Sequence, residues 1–118
     1  MIDIEVVRSY CLSLPHATED LPFGPDTLVF RIGGKIFGLM GLDAVDFYSI
    51  NLKCDPDQVE ELRANYNYVI PGYHMNKKHW NTVQLTDESD FKVVKKLIDD
   101  SYKLVKNSLP KNIKNTLI

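Results

Sequence analysis

Leu28-Val29-Phe30-Arg31-Ile32-Gly33-Gly34-Lys35-Ile36-Phe37-Gly38-Leu39-Met40 decides the fold. Two runs rich in β-branched and aromatic residues flank a Gly-Gly pair. Both glycines accept positive φ, so the stretch predicts a two-residue β-hairpin. Alternation puts Leu28, Phe30 and Ile32 on one face and Val29 and Arg31 on the other. A hairpin with one apolar face needs a layer to cover that face, so helices are expected on either side of it in the chain.

Those helices are legible. Upstream, residues 3–13 read as a helix: Ile4, Val7, Cys11 and Leu14 recur at helical spacing, and Asp3 is a fair N-cap. Pro15 stops it. Pro15, Pro22 and Pro25 then keep residues 14–25 an extended connector. Downstream, Phe47 to Lys53 alternates as a third strand, with Tyr48, Ile50 and Leu52 inward. Asp55-Pro56-Asp57-Gln58 predicts a helix start, with Asp55 capping, Pro56 in the first turn and Gln58 closing a capping box. Val59, Leu62, Arg63 and Tyr66 follow at helical spacing, with Arg63 at the edge of the stripe. That helix ends near 65–67, and Tyr68-Val69-Ile70 reads as a brief extended piece. Asn81-Thr82-Val83-Gln84-Leu85 is the last strand.

The polar, acidic run 86–90 suits a helix N-terminus. A long helix follows from Asp90 to Lys106, buried along Phe91, Val94, Leu97, Ile98, Ser101, Leu104 and Val105. Its wet stripe holds Lys92, Lys96, Asp99 and Lys103, with Asp99 and Lys103 paired one turn apart. Leu109-Pro110 marks its stop, and the tail frays or forms a short turn. The order α-β-β-β-α-β-α, with room for one more strand beside the middle helix, predicts an α+β fold. It is a single antiparallel sheet with helices packed on one face.

Composition narrows the class further. At 118 residues, 44% hydrophobic and 25% charged, the chain is one ordinary domain, not a disordered or fibrous one. It holds no apolar run of membrane-spanning length, and Asp3, Glu5 and Arg8 interrupt any leader-like core, so a cytoplasmic protein is expected. Cys11 and Cys54 then read as reduced thiols. The net charge of −2 conceals an asymmetry. Residues 1–70 carry five basic and eleven acidic side chains, whereas residues 71–118 carry nine and five. Such a split gives a solvated lysine-rich helix or a phosphate-facing surface.

The most loaded stretch is Pro71-Gly72-Tyr73-His74-Met75-Asn76-Lys77-Lys78-His79-Trp80, with the chain's single tryptophan and two of its three histidines. Lys77 and Lys78 suit phosphates. Asn76 and His79 suit phosphate or sugar oxygens. Trp80 suits an exposed base, at ~1–3 kcal/mol per stack. Arg31 and Lys35 add charge from the hairpin. The plainer alternative has Trp80 plugging the core and the lysines solvating a turn. His16 with Glu19 and Asp20 has the makings of an acid–base cluster or of a capped turn, and the turn is the simpler reading. His74 and His79 lack metal-ligand spacing, so no metal or cofactor is expected. Nor does any nucleophile–base arrangement stand out, so no enzyme is expected.

Taken together, several blocks resemble the YjbR/MmcQ family of small bacterial proteins. They are Leu14-Pro15-His16-Ala17-Thr18-Glu19, the hairpin from Phe30 to Phe37, Tyr73 to Trp80, and Ser101-Tyr102-x-Leu104-Val105 with Leu109-Pro110-Lys111. The resemblance spans nearly the whole chain. It implies a fold like that of CyaY, the bacterial frataxin, and non-enzymatic DNA binding through a double wing. The wings would be the Gly33-Gly34-Lys35 tip and the loop from Pro71 to Trp80. Frataxin-like iron binding is not carried over, since the first helix offers only Asp3 and Glu5. The second expectation is a pocket at the same loop and the open sheet face. Tyr73, His74, Lys78 and Trp80 would line it, for a small anionic ligand or a protein partner.

Overall fold

The structure, a computed structural model, describes residues 1–72 and 75–117. Six strands form one antiparallel sheet in the order β1-β2-β3-β4-β6-β5. The strands are β1 (Thr18–Asp20), β2 (Thr27–Ile32), β3 (Lys35–Gly41), β4 (Tyr48–Lys53), β5 (Val69–Pro71) and β6 (Trp80–Leu85). The helices are α1 (Ile4–Ser13), α2 (Val59–Asn65), α3 (Phe91–Asn107) and α4 (Lys111–Asn115). One core joins Val7 and Cys11 of α1, Val94, Ile98 and Val105 of α3, and Phe30, Ile32, Ile50 and Val83 of the sheet. The expected α+β class and helix-covered sheet are therefore observed.

The hairpin forms as its sequence requires. Gly33 and Gly34 sit at φ 58° and 83°, the conformation a type I′ turn demands. Gly33 is doubly constrained, because a Cβ there would stand 2.6 Å from Leu109 Cδ1. Past the turn the register slips. Phe30 pairs with Gly38 but Arg31 pairs with Ile36, leaving Phe37 as the extra residue of a β-bulge. The bulge turns Phe37 into the helix layer, where its ring meets Tyr102 edge-on at 5.5 Å. Ser101 of α3 repairs the interrupted ladder. Its hydroxyl donates to the Phe37 carbonyl at 2.6 Å and accepts from the Lys53 amide at 2.9 Å.

Four local expectations are corrected. The proline connector contains a strand: Thr18, Glu19 and Asp20 pair with Arg31, Phe30 and Val29. The middle helix starts at Val59 and not at Pro56. Asp55 Oδ1 accepts from the Asp57 amide in a turn, and Gln58 makes no side-chain cap. On α3 the ion pair is Lys96 with Asp100 at 2.8 Å, while Asp99 accepts from the Tyr10 hydroxyl at 2.7 Å and so ties α3 to α1. The tail is ordered as α4, docked on the hairpin through Leu109 and Ile113. The optional extra strand lies after the middle helix, as β5.

Candidate functional site

Register fixes which connections meet. β2 and β4 run toward one end of the sheet, and β3 and β6 start from it. The Gly33-Gly34 tip and the loop before Trp80 therefore emerge at the same end. β4 alone lies between β3 and β6, so their starts are about 10 Å apart in the strand-stacking direction. α3 ends there as well: Lys35 Nζ reaches the Ser108 carbonyl at 3.5 Å. α4 packs on the tip through Ile113, so that short helix carries Lys111 and Lys114 at the same end. The opposite end carries the connections 21–26, 42–47 and 86–90, which hold Asp26, Asp43, Asp46, Asp87, Glu88 and Asp90 and no lysine or arginine. The charge asymmetry along the chain thus becomes a polarity along the sheet. Asp55 and Asp57 in the turn after β4, with Glu60 and Glu61 in the first turn of α2, are acidic exceptions at the basic end.

The loop is shaped by its own residues. Asn76 Oδ1 accepts from the Lys78 amide at 3.0 Å, and the His79 and Trp80 amides donate to the Asn76 carbonyl. The Cys54 amide donates to the His79 carbonyl at 2.7 Å, which fixes the loop's exit against β4. Arg63 of α2 clamps the base. Its Nη2 donates to the carbonyls of Lys77 and Trp80, and its Nε donates to Asn81 Oδ1 at 2.7 Å. Asn76, Lys77 and Lys78 are exposed and His79 is part-buried. Among the described residues, neither lysine pairs with a carboxylate.

Trp80 is part-buried, but not in the core. Alternation along β6 sends Asn81, Val83 and Leu85 toward the helices and Trp80, Thr82 and Gln84 to the open face. Lys53 is directly opposite Trp80 in the register and shares that face. Arg31 lies lower in the hairpin than its tip. It pairs with Asp20 at 2.9 Å and donates to the Gly34 carbonyl at 3.0 Å, so it braces the turn.

Two of the expected pocket residues, Tyr73 and His74, lie outside the described residues. On the open face there is a recess of about 270 Å³, with Met75 from the loop over Leu39, Asn51 and Thr82. Neither Lys78 nor Trp80 lines it, and its described lining holds no charged group. The His16 cluster does not assemble: Glu19 pairs with Arg8, which holds its carboxyl below the usual range, and Asp20 pairs with Arg31. His16 stands exposed at φ 62° in the turn. Among the described residues, no group of three His, Cys, Asp or Glu side chains is arranged to hold a metal. No helix is long and apolar enough to cross a membrane.

Sequence reasoning missed Arg63 as the loop clamp, and it missed Asn81. The signal for Asn81 was present, since alternation with Val83 and Leu85 already points an amide into the helix layer.

Comparison with known proteins agrees with the fold. The chain is 44% identical over 108 residues to the uncharacterised protein YbdF of Escherichia coli O157:H7, covering 91% of this chain and 87% of that one. It is 26% identical over 115 residues to the uncharacterised protein YjbR of Escherichia coli K12, covering 98% and 97%. The crystal structure of Deinococcus radiodurans protein DR2400 superposes with a TM-score of 0.90 at 36% identity, over 99% of this chain and 88% of that one. The YjbR family model matches residues 12–104. With most of its length inside that model and its fold shared nearly end to end with DR2400, the chain belongs to the YjbR family.

Proposed function

We propose that this protein binds DNA, without catalysing a reaction, through the basic end of its sheet. The observation that carries the reading is the common end shared by the hairpin tip and the 71–80 loop. It brings Lys35, Lys77, Lys78, Lys111 and Lys114 to one side of the molecule. Lysines that meet phosphates supply affinity without sequence preference. Asn76 and Arg31 brace the two fingers, His79 adds a donor, and the part-exposed Trp80 offers a ring to an unpaired base. The acidic opposite end orients the approach of a polyanion.

Fluorescence anisotropy of a labelled duplex tests this at about 20 mM and about 150 mM salt. Binding is expected at low salt and strongly weakened at the higher concentration. The Lys77→Ala/Lys78→Ala variant is expected to lower the magnitude of the log–log salt slope by about 2. No binding at low salt, or an unchanged slope in the double variant, contradicts the proposal.

A further inference from the structure

The β2-β3 hairpin has two unlike ends. At its base Thr27 pairs with Gly41, and the Leu42 amide donates to the Asp26 carbonyl at 2.8 Å. That bond holds the connections 21–26 and 42–47 side by side. Six large apolar side chains are exposed among the described residues, and four of them, Leu21, Phe23, Val45 and Phe47, lie in these two connections. Phe23 keeps 66% of its surface in water and Val45 96%. A single exposed apolar side chain needs no explanation, whereas four on two adjoining loops mark a contact surface. Asp26, Asp43 and Asp46 stand among them, and none pairs with a cation among the described residues. At the tip the chemistry is reversed. Gly33-Gly34-Lys35 and residues 107–115 carry Lys35, Lys111 and Lys114 and no carboxylate. Leu109 and Ile113 seat the second of these segments on the turn. Base and tip are about 20 Å apart along the same two strands.

A partner for the base must be basic and must cover apolar side chains. A second copy meeting it base to base would set Asp26, Asp43 and Asp46 against themselves, and like charges across an interface are unfavourable. A second copy meeting it tip first brings three lysines to three carboxylates. The exposed Pro110 and the part-buried Ile113 give that tip apolar surface to lay against Phe23 and Val45. Because the complementary surfaces lie at opposite ends of one hairpin, such a contact does not close on itself and can repeat from copy to copy. We propose that copies of this protein associate head to tail, the 33–35 tip and α4 of one copy seated on the connections 21–26 and 42–47 of the next. The contact does not rest on the DNA reading, since Lys77 and Lys78 take no part in it.

Sedimentation velocity of the full chain over a range of concentrations tests this. At about 20 mM salt the weight-average mass should rise with concentration, and at about 500 mM it should fall back toward the monomer, because salt screens the charged part of the contact. Lys35→Glu/Lys111→Glu/Lys114→Glu blocks the tip. Phe23→Ser/Val45→Ser, at two exposed positions, blocks the base. Each variant should be monomeric alone. Mixed in equal amounts they should form a dimer and nothing larger, since each pair keeps one working tip and one working base. The base variant should bind duplex as the wild type does, and Lys77→Ala/Lys78→Ala should still associate, so failure of this contact and failure of the DNA reading are told apart. Three results overturn the proposal: a wild type that stays monomeric at low salt, association that survives in either blocked variant, as a base-to-base contact would in the tip variant, or blocked variants that do not combine.

Discussion

Ser101 shows how one hydroxyl sustains a sheet. The β-bulge at Phe37 leaves a carbonyl and the Lys53 amide without ladder partners, and the Ser101 hydroxyl serves both. Ser101→Ala strands one buried and one part-buried backbone group, each worth ~1–3 kcal/mol. Urea unfolding should register a loss of about 2–4 kcal/mol, and a loss under about 0.5 kcal/mol would refute this role. The cysteines are inert for a related reason. Cys11 is fully buried and its thiol is pushed up to about 12, by burial first and by Asp99 second. Cys54 shifts upward through burial and Asp55. Because the thiolate is the nucleophile, iodoacetamide at about pH 8 should modify neither in the native protein and both in urea. Modification of Cys11 in the native protein at the rate of a free thiol would contradict the burial described here.

Among the elements, α2 matters less as a wall than as the seat of Arg63. Its three donor contacts join α2 to β6, at Trp80 and Asn81, and to the loop, at the Lys77 carbonyl. Arg63→Ala should release the loop, seen as faster amide exchange at His79 and Trp80 with little change in the α3 amides. Arg63→Lys should not rescue it, because one ammonium cannot reproduce a planar fork across three acceptors. Uniform exchange across the protein would instead mark Arg63 as a general stabiliser.

The elements also show what the sequence disclosed. The Gly-Gly hairpin was readable because positive φ and alternation are both local properties. The α3 stripe was readable because seventeen residues repeat one period. β1 was not readable: Thr18-Glu19-Asp20 is short and polar, and it is held as a strand by register with β2 and by ion pairs from Arg8 and Arg31. The α2 start was misplaced because Asp55 spends its carboxylate on a turn before the helix. The candidate loop was legible from its unusual composition. Its clamp was not, since Arg63 acts through tertiary contacts with no sequence period.

At the scale of the whole molecule, charge is polarised along the sheet. Lysines gather where the hairpin tip, the loop and α4 meet, and carboxylates gather at the other end of the sheet. A backbone-directed binder needs such a field more than it needs a net positive charge, because a few well-placed cations release counterions whatever the rest of the surface carries. This reconciles a chain of net charge −2 with a polyanionic partner. The most direct measurement is chemical-shift mapping on the labelled protein as a short duplex is added at low salt. Shifts are expected at Gly33 to Lys35, Asn76 to Trp80 and Lys111 to Lys114, with Asp43 to Asp46 and Asp87 to Asp90 unmoved. Shifts centred on the acidic end, or none at all at saturating duplex, would contradict the account.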